Sequence, residues 1–100
     1  MEKITNSIDT ENVILEKLSI IIDIMMQILN CSYSDAYDVV TKSKTYLFLQ
    51  QKDYSTLHDS PQANLSSIGK ELRDNNIDIG FKLTDNNIRL AMLKMREINK

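Results

Sequence analysis

Three features of the sequence predict an all-α fold. The stretch from Val13 to Asn30, VILEKLSIIIDIMMQILN, is the longest apolar segment, and its polar residues recur at helical spacing. Only two glycines and one proline occur in 100 residues, which leaves little material for hairpin turns. Ser60-Pro61 is a helix-start signal: Ser is a preferred N-cap, and Pro fits the first helical position because its missing N–H has no intrahelical partner there. The length fits one domain, residues 1–100. The expected architecture is a small four-helix bundle-like domain with a long central first helix and an extended connector near residues 77–83.

The first helix is expected over Asp9–Asn30, preceded by a polar tail over residues 1–8 that carries Ile4 and Ile8. Asp9 or Thr10 would cap it, with Glu11 placed for the helix dipole. Glu16, Ser19, Asp23, Gln27 and Asn30 form one polar stripe, and Ile20, Ile24 and Met26 join the apolar residues around the rest. A surface helix has an apolar face only about 100° wide. This one is apolar over more than half its circumference, so it should sit centrally with several neighbours.

A second helix is predicted over Ser34–Gln51, opened by the capping pattern Ser32-Tyr33-Ser34-Asp35. The β-branched run Val39-Val40-Thr41 favours a bend near Thr41–Ser43. Lys52–Asp59 reads as a loop or a single turn, pinned by Tyr54 and Leu57. The third helix is predicted over Pro61–Arg73, with Leu65, Ile68 and Leu72 facing the core and Gly69 either allowing close helix approach or costing some stability. Asp74-Asn75-Asn76 stops it. Residues 77–83, IDIGFKL, alternate apolar and polar like a strand, but no second strand exists to pair with them, so they read as an extended connector. Thr84 or Asp85 caps a fourth helix over Asp85–Asn99, whose apolar face is Ile88, Ala91, Met92, Met95 and Ile98.

Composition narrows the function classes. The formal net charge of −2 argues against a dedicated nucleic-acid binder. The charge is uneven: residues 1–59 hold 5 Lys/Arg against 9 Asp/Glu, and residues 60–100 hold 7 against 5, an asymmetry that can orient a partner or a second copy. The single cysteine, Cys31, excludes an internal disulfide and fits a reducing, cytoplasmic setting. No basic n-region with an apolar run and a cleavage site opens the chain. The densest apolar run, Ile20–Leu29, is too short for a membrane span, which needs roughly 20 predominantly apolar residues. Abundant Ile, Asn, Lys and Asp suggest a bacterial or phage genome rich in A and T.

No catalytic constellation assembles. Cys31 and His58 are the only thiol and imidazole, and neither has a catalytic context. The acid pairs Asp35/Asp38 and Glu11/Glu16 sit near helix starts, where acids serve the dipole. There is no glycine-rich phosphate loop, and no cofactor site or Cys/His metal cluster is expected. Asp74, Asn76, Asp78 and Asp85 occupy positions one, three, five and twelve of a calcium loop. However, Ile79 takes the sixth position, where the turn demands Gly, and position twelve lacks its bidentate Glu. A helix-turn-helix reading would use Arg89, Lys94, Arg96 and Lys100 as phosphate contacts, across a connector longer than the usual 3–4-residue turn.

Ser43-Lys44-Thr45-Tyr46, Leu49, Leu57 and Asp59-Ser60-Pro61 give residues 34–72 a pattern that resembles short bacterial proteins of unknown function of the DUF3791-like group. The resemblance implies a small, mostly helical protein and supplies no activity; an antitoxin-like role would fit it. The expected function is therefore a non-enzymatic interaction protein that self-associates or binds a protein partner. Ile20, Ile24 and Met26, beside the polar stripe of the first helix, are the candidate contact residues, if the rest of the chain leaves them uncovered. The alternative is a small nucleic-acid-binding regulator using the last helix.

Overall fold

A computed structural model describes the backbone of residues 2–98 and the side chains of residues 10–97. Among the described residues six α-helices follow one another: α1 (Glu2–Leu29), α2 (Tyr33–Thr41), α3 (Lys44–Gln50), α4 (Tyr54–His58), α5 (Pro61–Asp74) and α6 (Asp85–Ile98). A 3-10 turn, Asp78–Phe81, lies between α5 and α6, and no strand occurs among the described residues. The all-α expectation holds, with six helices in place of four.

α1 begins at Glu2, so Asp9 and Thr10 lie inside it rather than capping it. The side chains of Ile4, Ile8, Ile98 and Lys100 lie outside the described residues. Ile14, Lys17, Leu18, Ile21, Ile22, Ile24 and Met25 are the buried positions of α1. At 3.6 residues per turn they cover an arc of about 160°. Its apolar surface is wider than this, and Val13, Leu15 and Ile20 stay exposed. Ala36 and Val40 of α2, Leu65 and Ile68 of α5, Leu83, and Ile88 and Ala91 of α6 complete one core against that arc. Met25 lies inside this core, and Met26, Met92 and Met95 pack against it.

The bend expected near Thr41–Ser43 is a full break, so the second predicted helix is two helices. Thr41 Oγ1 donates to Tyr37 O at 2.7 Å, the back-bond that weakens a helix locally. Ser43 Oγ donates to Val40 O and accepts the Tyr46 N–H, closing α2 and opening α3 at one residue. Glu71 of α5 then accepts from Lys44 N at 2.7 Å and from Thr45 N at 3.0 Å. Its carboxylate also accepts from Thr45 Oγ1 at 2.6 Å. A helix start leaves four backbone N–H groups without intrahelical partners; Ser43 and Glu71 together serve three of them. The break is thus stabilised from outside by a residue 27 positions away, which local propensity could not reveal.

The connector after α5 is a compact turn, not an extended strip. α5 ends in a Schellman motif: Ile77 N–H donates to Leu72 O, Asn76 N–H donates to Arg73 O, and Asn76 adopts φ 58°. Arg73 Nη1 then donates to Gly80 O at 2.9 Å and Leu83 O at 3.1 Å, tying the turn onto α5. Both glycines serve this approach. A Cβ on Gly69 would stand 2.3 Å from Leu83 O, and one on Gly80 would stand 2.6 Å from Arg73 N. With Gly80 holding the turn down, Leu83 reaches the core while Ile77 and Phe81 are left exposed.

Candidate interaction surface

The three contact residues expected on α1 do not form one patch. Ile24 is 1% exposed, on the buried arc with Lys17 and Ile21, and is core rather than contact surface. Met26 is half-buried against the core. Ile20 is the one of the three that is exposed, at 37%. The reason is angular: Ile24 follows Ile21 by three residues and so shares its face, whereas Ile20 lies one residue behind it, about 100° around the helix.

The last helix presents a more continuous surface. Thr84 caps it, its Oγ1 accepting the Asn87 N–H at 3.2 Å, and Asn87 Nδ2 donates to Lys82 O at 2.8 Å. Ser66 Oγ donates to the Asp85 carboxylate, joining this helix start to α5. Ile88 and Ala91 face inward. Arg89, Leu90, Leu93, Lys94 and Arg96 all face solvent. A groove of about 410 Å³ runs between α5 and α6, lined by Gln62, Ala63, Ser66, Asp85, Ile88, Arg89, Met92, Leu93 and Arg96. On the opposite flank a second groove of about 410 Å³ separates α6 from the end of α1, lined by Gln27, Ile28, Lys82, Asn87, Leu90, Ala91 and Lys94. The helix is therefore a ridge with two exposed leucines, a depression on each side, and cations on both edges. Arg89 Nη2 donates to Asn86 Oδ1 at 2.9 Å within the helix, a contact easily exchanged for a carboxylate.

The sequence reading missed Leu90 and Leu93. Their signal was present: two leucines lie off the inward face of an amphipathic helix, each beside a cation. It also passed over Lys17, which falls at a core position of α1. Lys17 Nζ donates to the backbone carbonyl of Asp59, to Asn64 Oδ1 at 3.3 Å and to Thr56 O at 3.4 Å. Asn64 Nδ2 also donates to Thr56 O at 3.1 Å. Burial holds the Lys17 ammonium below its ordinary pKa, and the nearby Asp59 carboxylate offsets part of that shift. This cluster ties α4 to α1 by serving carbonyls at a helix end, the usual place for a cation. It borders a polar groove of about 340 Å³ that also contains Glu71. Among the described residues no buried side-chain N or O lacks a hydrogen-bond partner. The polar groups there are occupied by the fold itself, and α6 remains the better candidate.

The remaining sequence candidates are dispersed. Asp74 pairs with Lys70 at 3.3 Å, Asn76 shapes the end of α5, and Asp85 is held by Ser66. No three His, Cys, Asp or Glu side chains gather as a metal site among the described residues. Cys31 packs against the core at the α1–α2 junction, while the His58 ring lies tilted at 40° against Tyr54 of α4 with ring centroids 4.2 Å apart. Ten residues, including the 3-10 turn, separate α5 from α6, so the tight turn of a helix-turn-helix is not formed. Arg89, Lys94 and Arg96 are nevertheless exposed along α6. No described helix is long and apolar enough to cross a membrane. Comparison with known proteins gave no matching family model and no significant match among curated proteins or solved structures.

Proposed function

We propose that the protein is a non-enzymatic interaction module that recognises an acidic, partly apolar protein surface through α6. The observation that carries this reading is the ridge itself, in which Leu90 and Leu93 stand exposed between Arg89, Lys94 and Arg96 and are flanked by two grooves. Each leucine is about half exposed, so covering both would contribute roughly 2 kcal/mol, with the cations adding orientation and association rate. Met92, at the floor of the α5–α6 groove, can adjust to the shape of a guest side chain.

The single cysteine supports a reducing, cytoplasmic setting. The likeness of residues 34–72 to short bacterial proteins of unknown function supports a bacterial one. In architectural terms α1, α2 with α3, α5 and α6 serve as the four legs of a bundle-like domain.

The experiment is a titration of isotope-labelled protein with a synthetic helical peptide of glutamates and leucines, followed by amide chemical shifts. Shifts along α6 that Leu93→Ala and Arg96→Ala weaken would support the reading. Peptide binding elsewhere, or none at low salt, would contradict it. A second reading uses Arg89, Lys94, Arg96 and Lys100 on the phosphates of a nucleic acid. Duplex DNA in the same titration separates the two, because phosphate contacts depend steeply on salt and give no task to Leu90 and Leu93.

A further inference from the structure

Taking α6 as a docking surface, we infer that its occupant is a second copy of this chain, presenting the outer face of α1. Between Thr10 and Asn30 the charged residues are Glu11, Glu16, Lys17 and Asp23. Lys17 is buried, so every exposed charge on that length of helix is acidic.

Glu16, Ile20 and Asp23 stand at i, i+4 and i+7, which puts them on one face. Arg89, Leu93 and Arg96 stand at the same spacing on α6. One stripe is an exposed isoleucine between two acids, and the other is an exposed leucine between two bases. In each, the outer charges lie about 10 Å apart along the helix axis, since seven residues rise 1.5 Å apiece. Laid together, the two stripes bring both acids to both bases with the apolar side chains between them, whichever way the helices run. Among the described residues none of the four charged side chains forms an ion pair within its own chain.

The α6 stripe also borders a depression, since Arg89, Leu93 and Arg96 all line the groove between α5 and α6. A two-fold axis then makes the contact twice, α1 on the partner's α6 and α6 on the partner's α1. The uneven charge of the chain becomes the means of pairing.

Sedimentation of the full chain tests this, with Glu16→Lys/Asp23→Lys as one variant and Arg89→Glu/Arg96→Glu as the other. All four positions are exposed, and far-UV circular dichroism checks that both variants remain folded. The wild type should form a dimer that loosens as salt rises. Each variant alone should dimerise at least about tenfold more weakly, and an equimolar mixture of the two should regain the dimer, because both contacts are then complementary again. A wild type that stays monomeric at low salt, an assembly that grows without closing, reversed variants that dimerise like wild type, or folded variants that remain monomeric when mixed would each overturn the inference. A monomeric wild type that still binds the acidic peptide on α6 would overturn self-pairing and leave the proposed function standing. A dimer indifferent to all four charges, in a protein that ignores the peptide, would remove both.

Discussion

Replacing Gly69 with Ala should destabilise the protein, against the ordinary rule for a helix interior. In an exposed helix, Gly→Ala gains up to about 1 kcal/mol. At Gly69 the new Cβ would lie 2.3 Å from the backbone oxygen of Leu83 and 2.9 Å from its Cβ. A normal carbon–oxygen contact requires the Leu83 carbonyl to retreat by roughly 1 Å. It cannot move alone, because Arg73 Nη1 holds that oxygen at 3.1 Å and the Gly80 carbonyl at 2.9 Å. The Leu83 side chain is itself fully buried. Overpacking of this kind costs about 1–3 kcal/mol, and more where backbone is the obstacle. With the upper end, about 3 kcal/mol, taken because backbone is the obstacle, and the helix gain subtracted, the expected net loss is about 2 kcal/mol, or roughly 8–16 °C in Tm for a domain of this size. Urea denaturation with unchanged slope measures it. A variant as stable as wild type, or more stable, would refute the close packing of the 3-10 turn on α5.

Two further predictions concern the polar contacts that hold the short helices. Glu71→Gln removes the charge that receives the first N–H groups of α3, and should cost about 1–2 kcal/mol in urea unfolding, with faster hydrogen exchange at Lys44 and Thr45; unchanged exchange there would contradict the capping role. Lys17 has a folded-state pKa below 10.5, so between that lowered value and 10.5 the unfolded chain binds the proton that the folded chain has released. Carrying the charge therefore costs stability at neutral pH, and that cost is relieved as pH rises through the window. Lys17→Met should abolish this alkaline gain, and an alkaline stability profile identical to wild type would show that Lys17 does not cause it.

The all-helical class was legible because its signals are local. Ser60-Pro61 begins α5 as expected, with Ser60 Oγ accepting the Ala63 N–H at 3.1 Å. Ser32 and Thr84 likewise act through residues three positions ahead. What escaped the sequence depends on distant partners. The bend expected near Thr41–Ser43 is a full break because Glu71 secures it, and residues 77–83 alternate like a strand but are folded down by Arg73 and Gly80. In the candidate site, the basic residues of α6 are legible in sequence as phosphate contacts, whereas Leu90 and Leu93 stand out once Ile88 and Ala91 are seen to face inward. On α1, Ile20, Ile24 and Met26 look alike in sequence. Only packing separates them, since Ile24 faces α1's neighbours and Ile20 does not.

That α6 is the docking face, with α1 of a second copy as its occupant, is tested most directly by amide spectra of the labelled wild type on dilution. Signals from residues 16–23 and 89–96 should move together as the dimer dissociates. Spectra that do not change with concentration, or changes centred on the exposed Leu47 and Phe48 of α3, would contradict it.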